Sequence, residues 1–442
     1  MQYHLEPSEA CMKQAAAIPD EGKPGSRAKS YYVLTLLTLV WALQFANISI
    51  INIVLEPIKK EFALSDTMMG LMVGFAFVLI GSLLSMPVAR WADRKGRIAI
   101  IAAGVTFWSI MTSLGGLARS VAHLLLSRVG LGIGGSVVPA PGNSIVADYF
   151  PKDKLPMAMS IMSMAPCIGG LAAFLIGGYA GTYWGWRSAF FLAGLPGFVV
   201  AGLLYFTVQE PRRGLQDGTN ADTRDYALSE TLRFFVENKT YFLVVVGFTF
   251  TGFADLALST WFVAYMMRVH QMTMLQVSTV GGILNSLGGI AGVLLGGMIV
   301  GYLGSKDDKW KIVAPGMTSL LAGPMLVIFL FAPMPWTYVA LFCSVLLMGF
   351  RMGPILGLVQ SVVKVRMRAF AAATLFLIGT LFGSGGGPLI IGAINDYLDP
   401  SFGPLAIRYS LLCAPAASML GALFFLWAGR HVKEDIRRSS SE

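Results

Sequence analysis

Three charged side chains sit deep inside apolar stretches of the 442-residue chain: Arg128, Asp255 and Arg351. On the most lenient scale, a charge at the centre of a bilayer costs about 2.5 kcal/mol or more, so each needs a compensating interaction. Arginine keeps its proton at physiological pH. Its planar fork matches a carboxylate or phosphate in a way that lysine does not. Asp255 is the one acid at comparable depth, so at most one of the two arginines can be paired by a carboxylate of the chain. The other must be met by backbone carbonyls, cavity water or an anion that arrives from outside. The chemistry expected is therefore capture of an anionic group without a covalent step. Asp255, able to gain and lose a proton, is the candidate coupling group. The competing reading makes both arginines structural, bonded to the ends of neighbouring helices.

Neutral polar residues lie at similar depth: Gln44, Asn47, Ser49, Asn52, Asn143, Asn285 and Gln360. Gln44, Asn47 and Ile48 share one helical stripe at i, i+3, i+4, which predicts that Asn47 lines a cavity. Trp261 offers an aromatic wall. The expected binding set is Arg128, Arg351, Asn47, Gln44, Asn143, Asn285, Gln360 and Trp261, with Asp255 for coupling.

The elements that position these groups are apolar stretches of roughly twenty residues, the length a helix needs to cross a hydrocarbon core of about 30 Å. The chain is 55% hydrophobic and 13% charged, with a mean hydropathy of +0.67; soluble proteins carry about 25% charged residues. Twelve spans are expected, near 31–56, 66–89, 98–118, 121–147, 155–181, 187–208, 240–266, 274–303, 312–332, 336–361, 366–392 and 405–429. Lys and Arg concentrate in alternate links, as at Arg90 to Arg97, Lys306 to Lys311 and Arg430 to Arg438. That bias sets orientation and puts both termini in the cytoplasm. The net charge of +9 is thus an orientation signal, and nucleic acid is not an expected partner.

The fold class expected is all-α integral membrane, with twelve transmembrane helices in two pseudo-symmetric halves. A cytoplasmic tail covers 1–30, without the apolar run of a signal peptide. The six-helix halves cover 31–208 and 240–429. A polar linker with a short interfacial helix covers 209–239, and a cytoplasmic tail covers 430–442. Arg90-Trp91-Ala92-Asp93-Arg94-Lys95-Gly96-Arg97 follows the second span, and a charged turn from Gly301 to Trp310 follows the eighth. That is the trace of parallel repeats, a body that rocks one half against the other around a site near the midplane.

At these residues the chain resembles the major facilitator superfamily, whose signature after the second helix is similar to Asp93-Arg94-Lys95-Gly96-Arg97. More narrowly it resembles the spinster-like branch through Leu55-Glu56-Pro57-Ile58-Lys59, Leu64-Ser65-Asp66, Ser127-Arg128-Val129-Gly130, Ala147-Asp148-Tyr149-Phe150-Pro151, Gly185-Trp186-Arg187 and Glu210-Pro211. The resemblance implies the fold of that superfamily, and a gate at Asp93, Arg94, Gly96 and Arg97 that pairs across the halves to stabilise an outward-open state. It departs in two places. The branch's first-helix Asp-Arg pair falls on Asn47 and Ile48, and its fourth-helix Glu falls on Gly135. Proton coupling through those acids does not carry over.

The glycine runs around Gly130 to Gly135 and Gly383 to Gly387 lie in apolar helical context, without the strand-turn-helix setting of a nucleotide loop. Close helix packing explains them. The cysteines Cys11, Cys167, Cys343 and Cys413 lack metal spacing and read as small packing residues. No cofactor and no enzymatic activity are expected. The expectation is a monomeric multi-pass protein of the plasma (inner) membrane that moves a small organic or amphiphilic anion by alternating access, with or without protons. Resemblance to the spinster-like branch implies lysolipid-like anions among the candidates. The alternatives are efflux of hydrophobic compounds and, in another class, a transporter-like sensor or scaffold.

Overall fold

A computed structural model describes residues 27–75, 81, 96–151, 154–210, 235, 237–363 and 367–440. Asp93 and Arg94 lie outside the described residues, as does most of the linker. Among the described residues, nine helices are long and apolar enough to cross a membrane. The last of them, Phe370–Ala428, comprises the eleventh and twelfth spans, which reverse at Gly403, where φ is +52°. The second span begins at Asp66–Gly70 and continues to Phe75, where description stops.

The breaks in the helices follow local chemistry. The fourth span is two pieces, Val121–Gly135 and Pro139–Tyr149, because Pro139 and Pro141 cannot donate to the preceding turn. The fifth is broken at Met164 beside Pro166. The tenth consists of Trp336–Phe350 and Met352–Val362, so Arg351 occupies the junction, with Pro354 just beyond. The third span starts at Arg97 after Gly96, whose φ of +90° suits glycine alone.

The halves meet along antiparallel helix pairs. The second and eleventh spans approach so closely that a Cβ on Gly70 would lie 2.2 Å from the Pro388 carbonyl oxygen, and one on Gly392 would lie 2.3 Å from that of Asp66. The fifth and eighth spans touch in the same way: a Cβ on Gly178 would lie 2.3 Å from the Ser278 Cβ, one on Gly282 would meet Phe174, and one on Gly289 would meet the Cys167 Sγ. Small residues let backbones approach in lipid, where packing rather than hydrophobicity holds helices together. These contacts gather toward the end of the bundle that carries Asp66, Met274 and Asp396, here the far end. At the other end, which holds the beginning and end of the described chain, the Gly353, Gly357 and Gly301 positions have no neighbour among the described residues within 4 Å of where a Cβ would stand.

Candidate functional site

The first span presents two different faces. Phe45, Ser49, Asn52 and Ile53, spaced as one helical stripe, line a cavity of about 170 Å³. Its other walls are Pro166, Gly170 and Phe174 of the fifth span, Ser259 of the seventh and Asn285 of the eighth. The cavity therefore lies between the halves. The opposite face of the first span is stitched to its own half. Gln44 donates to the Gly135 carbonyl at 3.0 Å, and Asn47 donates to Leu43 at 2.7 Å and Ala193 at 3.1 Å.

The two deep arginines have equivalent seats in the two halves. Arg128, on the fourth span, donates to the Asn47 carbonyl of the first at 3.2 Å. Arg351, on the tenth, donates to the Thr251 carbonyl of the seventh at 3.3 Å. They differ in their counterion. Arg351 also pairs with Asp255, one helical turn beyond Thr251. The corresponding position one turn beyond Asn47 is Ile51, which is buried and apolar. Arg128 is 1% exposed. It stacks over the Phe190 ring at 5.1 Å, and its Nε and Nη2 have no hydrogen-bond partner among the described residues. No acid occurs in the sequence between Asp66 and Asp93, so the remainder of the second span offers none at membrane depth. Asp255 is 37% exposed at its side chain while its partner Arg351 is sealed at 1%.

The remaining expected residues are dispersed. Asn285 is on the cavity wall. Asn47 is fully buried against the sixth span instead of facing the cavity, because its amide finds carbonyls there. Trp261 is buried too, its indole N–H donating to the Pro388 carbonyl at 3.1 Å. Asn143 and Gln360 are exposed, toward the end of the bundle that holds the beginning and end of the described chain. Arg97 bonds within its own half, to Glu210 at 2.8 Å, Asp148 at 2.6 Å and Ser144 at 2.7 Å. Burial alone would raise the Glu210 carboxyl, but the bonds from Arg97 and the Ile98 amide hold it below the ordinary range.

A cluster that sequence reasoning left out closes the far end. Arg268, in the last turn of the seventh span, pairs with Glu56 at 2.6 Å and with Asp66 at 2.6 Å. Lys59 reaches Asp66 at 2.5 Å. Across from them Asp396 accepts the backbone amides of Asp66 and Thr67 at 2.9 and 2.8 Å, and the Thr67 hydroxyl at 2.5 Å. A carboxylate is favoured at such a helix start by its free amides. Arg268 and Asp396 belong to one half, Glu56, Lys59, Asp66 and Thr67 to the other, so this cluster ties the halves. Glu56 and Asp66 stood in the motifs that carried the resemblance; their cross-half partners carried no local signal.

A helical bundle of two halves, sealed at one end around a polar central cavity, defines a membrane transporter of the alternating-access kind. The family model of the Major Facilitator Superfamily matches residues 37–388, and the chain belongs to that superfamily. It is 28% identical over 425 residues to an MFS-type efflux pump of Mycolicibacterium smegmatis, covering 96% of this chain and 98% of the relative. It is 24% identical to the sphingosine-1-phosphate transporter SPNS2 of Danio rerio, over 84% of this chain and 79% of the relative. A bacterial homolog of the human lysosomal transporter Spinster, in an inward-facing and unoccupied conformation, superposes with a TM-score of 0.82 at 28% identity, covering 93% of this chain and 99% of that one. The same homolog in its occupied conformation gives 0.78. The protein is thus a spinster-like transporter and not an enzyme.

Proposed function

We propose that this transporter moves a small organic or amphiphilic anion through the central cavity, with Arg128 and Arg351 as its cationic groups. The observation that carries this reading is the unequal pairing of the two arginines: Arg351 has Asp255, and Arg128 has no carboxylate among the described residues. A buried cation without a counterion favours any state in which an anion reaches it. Asp255, half-buried and paired with the sealed Arg351, is the group through which proton coupling would run; without coupling, the same cavity serves a facilitator. The basic links at the end opposite the Arg268 cluster argue for a cytoplasmic location of that end and of both termini, in a plasma (inner) membrane. The conformation is then inward-facing, as in the bacterial Spinster homolog. The protein works as a monomer.

Export of hydrophobic compounds is the second reading, favoured by the likeness to the mycobacterial efflux pump and by the apolar cavity walls Phe45, Ile53 and Phe174. Ligand stabilisation of the purified protein separates the two, because a ligand raises the melting temperature by an amount that grows with its concentration over Kd. Alkyl phosphates, sulfonates and carboxylates are compared with uncharged alkyl isosteres, on the parent and on Arg128→Gln and Arg351→Gln. Anions should stabilise the parent and not the variants. Equal stabilisation by the neutral compounds, unchanged in both variants, would sink the anion reading in favour of efflux.

A further inference from the structure

We infer that the far end is opened by two hinged helix tips, one in each half, which turn about their own axes instead of being carried rigidly by their halves. Such a gate would serve any cargo of the central cavity.

The second and eighth spans start alike. Each opens with a hydroxyl cap: the Ser65 side chain accepts from the Met68 amide at 3.2 Å, and the Thr273 side chain from the Gln276 amide at 3.3 Å. A short α-helical piece follows, Asp66–Gly70 in one and Met274–Gln276 in the other. Both pieces then widen into a π-helical turn, Leu71–Phe75 and Val277–Gly281. π-Helix is rare, and single π turns inside α-helices gather at functional sites. Two residues before each cap the backbone is left-handed, at Ala63 with φ of 48° and at Gln271 with φ of 54°. These are the two non-glycine residues of positive φ among the described residues. A Cβ makes that conformation unfavourable. Each tip is therefore bounded by a strained turn on one side and a widened turn on the other. Backbone outliers of this kind gather at switch regions.

A π turn holds one residue more than plain α-helix would in its place. Passing that residue into the adjoining α piece turns the piece by about 100° and moves it by about 1.5 Å along its axis. The far-end seal hangs on such a piece. Asp66 pairs with Arg268 at 2.6 Å, and the amides of Asp66 and Thr67 donate to Asp396 at 2.9 and 2.8 Å. Gly70 lies against the Pro388 carbonyl. A turn of about 100° takes all of these off their partners together. In the eighth span, a Cβ on Gly181 would lie 2.6 Å from the Met274 Cε of the tip, and Ser278 of the π turn meets Gly178. The π turn of the second span rests on a third, Gly379–Ser384 of the eleventh. There the Gly385 amide donates to the Thr380 carbonyl, five residues back, at 2.7 Å, and a Cβ on Gly74 would lie 2.8 Å from the Gly385 oxygen. Among the described residues, every π segment thus lies at a contact between the halves. Halves that rocked as rigid bodies would need only plain α-helix there.

The test uses pairs of spin labels on a cysteine-free form of the full chain. Met68→Cys with Leu117→Cys lies inside one half, and Leu275→Cys with Trp336→Cys inside the other. Leu117→Cys with Trp336→Cys spans the two. Leu117 and Trp336 are exposed and Met68 and Leu275 half-buried. Pulsed distance measurements compare the parent with Arg268→Gln/Asp396→Ala, which cuts the bonds holding the second-span tip; if that variant does not fold, Arg268→Gln alone carries the same readings. The cross-half distance should lengthen, and each intra-half distance should change with it by up to about 8 Å, the displacement of a side chain on a helix surface turned by about 100°. A longer cross-half distance with either intra-half distance constant would mean a tip carried rigidly, and would overturn the proposal. So would three unchanged distances, because a tip poised to turn must move once its bonds are cut. Ala63→Gly, at an exposed position, removes the strain of the left-handed turn and should lower the open-to-sealed ratio of the released protein about fivefold. A ratio indifferent to that substitution would overturn the strained turn as part of the hinge.

Discussion

Arg128 and Arg351 show how one side chain's partner changes the role of another. The two have the same backbone seat in their own halves, but an aspartate follows one seat and an isoleucine the other. Ile51→Asp should supply the missing counterion. The expected result is a melting temperature at or above that of the parent, together with loss of stabilisation by anions. The same substitution combined with Arg128→Gln leaves a buried carboxylate unpaired and should cost about 3–5 kcal/mol, so urea unfolding of the four proteins in a cycle measures the coupling. Asp255→Asn strands Arg351 with the Thr251 carbonyl alone and should destabilise by about 1–3 kcal/mol. The deep charged residues were legible from the sequence because their cost in an apolar span is intrinsic. Which arginine takes the one acid was not, since that depends on helices far apart in the chain. Nor was the cavity face of the first span. Gln44 and Asn47 form as good a stripe as Ser49 and Asn52, and only the packed sixth span decides between them.

At the scale of elements, the far-end cluster and the glycine contacts act together. Gly70→Ala would place its Cβ 2.2 Å from the Pro388 oxygen, and Gly178→Ala would place its own 2.3 Å from the Ser278 Cβ. Neither far-end contact can form unchanged, so both variants should shift the population toward the state open at that end. Arg268→Gln should do the same by removing the cross-half ion pairs to Glu56 and Asp66. A shift of about 1.4 kcal/mol would change the population ratio tenfold. Pulsed distance measurements between spin labels on the two halves would read it; unchanged distances in all three variants would remove the far-end seal from the account. Glu61 tests a link within one half. Arg187 and Trp186 donate to it at 2.6 to 2.8 Å, and these bonds, against a small opposing effect of burial, lower its carboxyl from 4.5 to about 2. A depressed carboxyl stabilises the fold above its ordinary value, and the contribution disappears as pH falls from 4.5 toward 2. Because the pair is 40% exposed, Glu61→Gln should cost about 1 kcal/mol or less at pH 7. The melting-temperature difference from the parent should shrink as pH falls below 4.5 and close only as it approaches 2.

For the whole molecule, hydropathy and charge bias made the multi-span helical membrane class legible, because a bilayer imposes those patterns, while the family was legible only through a resemblance carried by local motifs such as Ser127-Arg128-Val129-Gly130. The conformation was not legible, because both states of a rocking transporter share one sequence. Of the gate expected around Asp93, Asp93 and Arg94 lie outside the described residues, and Arg97 pairs with Glu210 and Asp148. The observed seal lies at the opposite end. Rocking would exchange one closure for the other, and an anion arriving at the cavity would bias that exchange by its differential affinity for the two states. Asn285→Cys, on the cavity wall, offers the most direct reading of this in a cysteine-free background. Membrane-impermeant thiol reagent would be applied from each side, with and without the anion that most stabilises the protein. The cysteine should react from the termini side alone when no anion is present. The anion should change the ratio of labelling between the two sides, and Arg128→Gln should abolish that effect. Equal labelling from both sides under every condition, or an anion effect untouched by Arg128→Gln, would contradict an anion carried by alternating access.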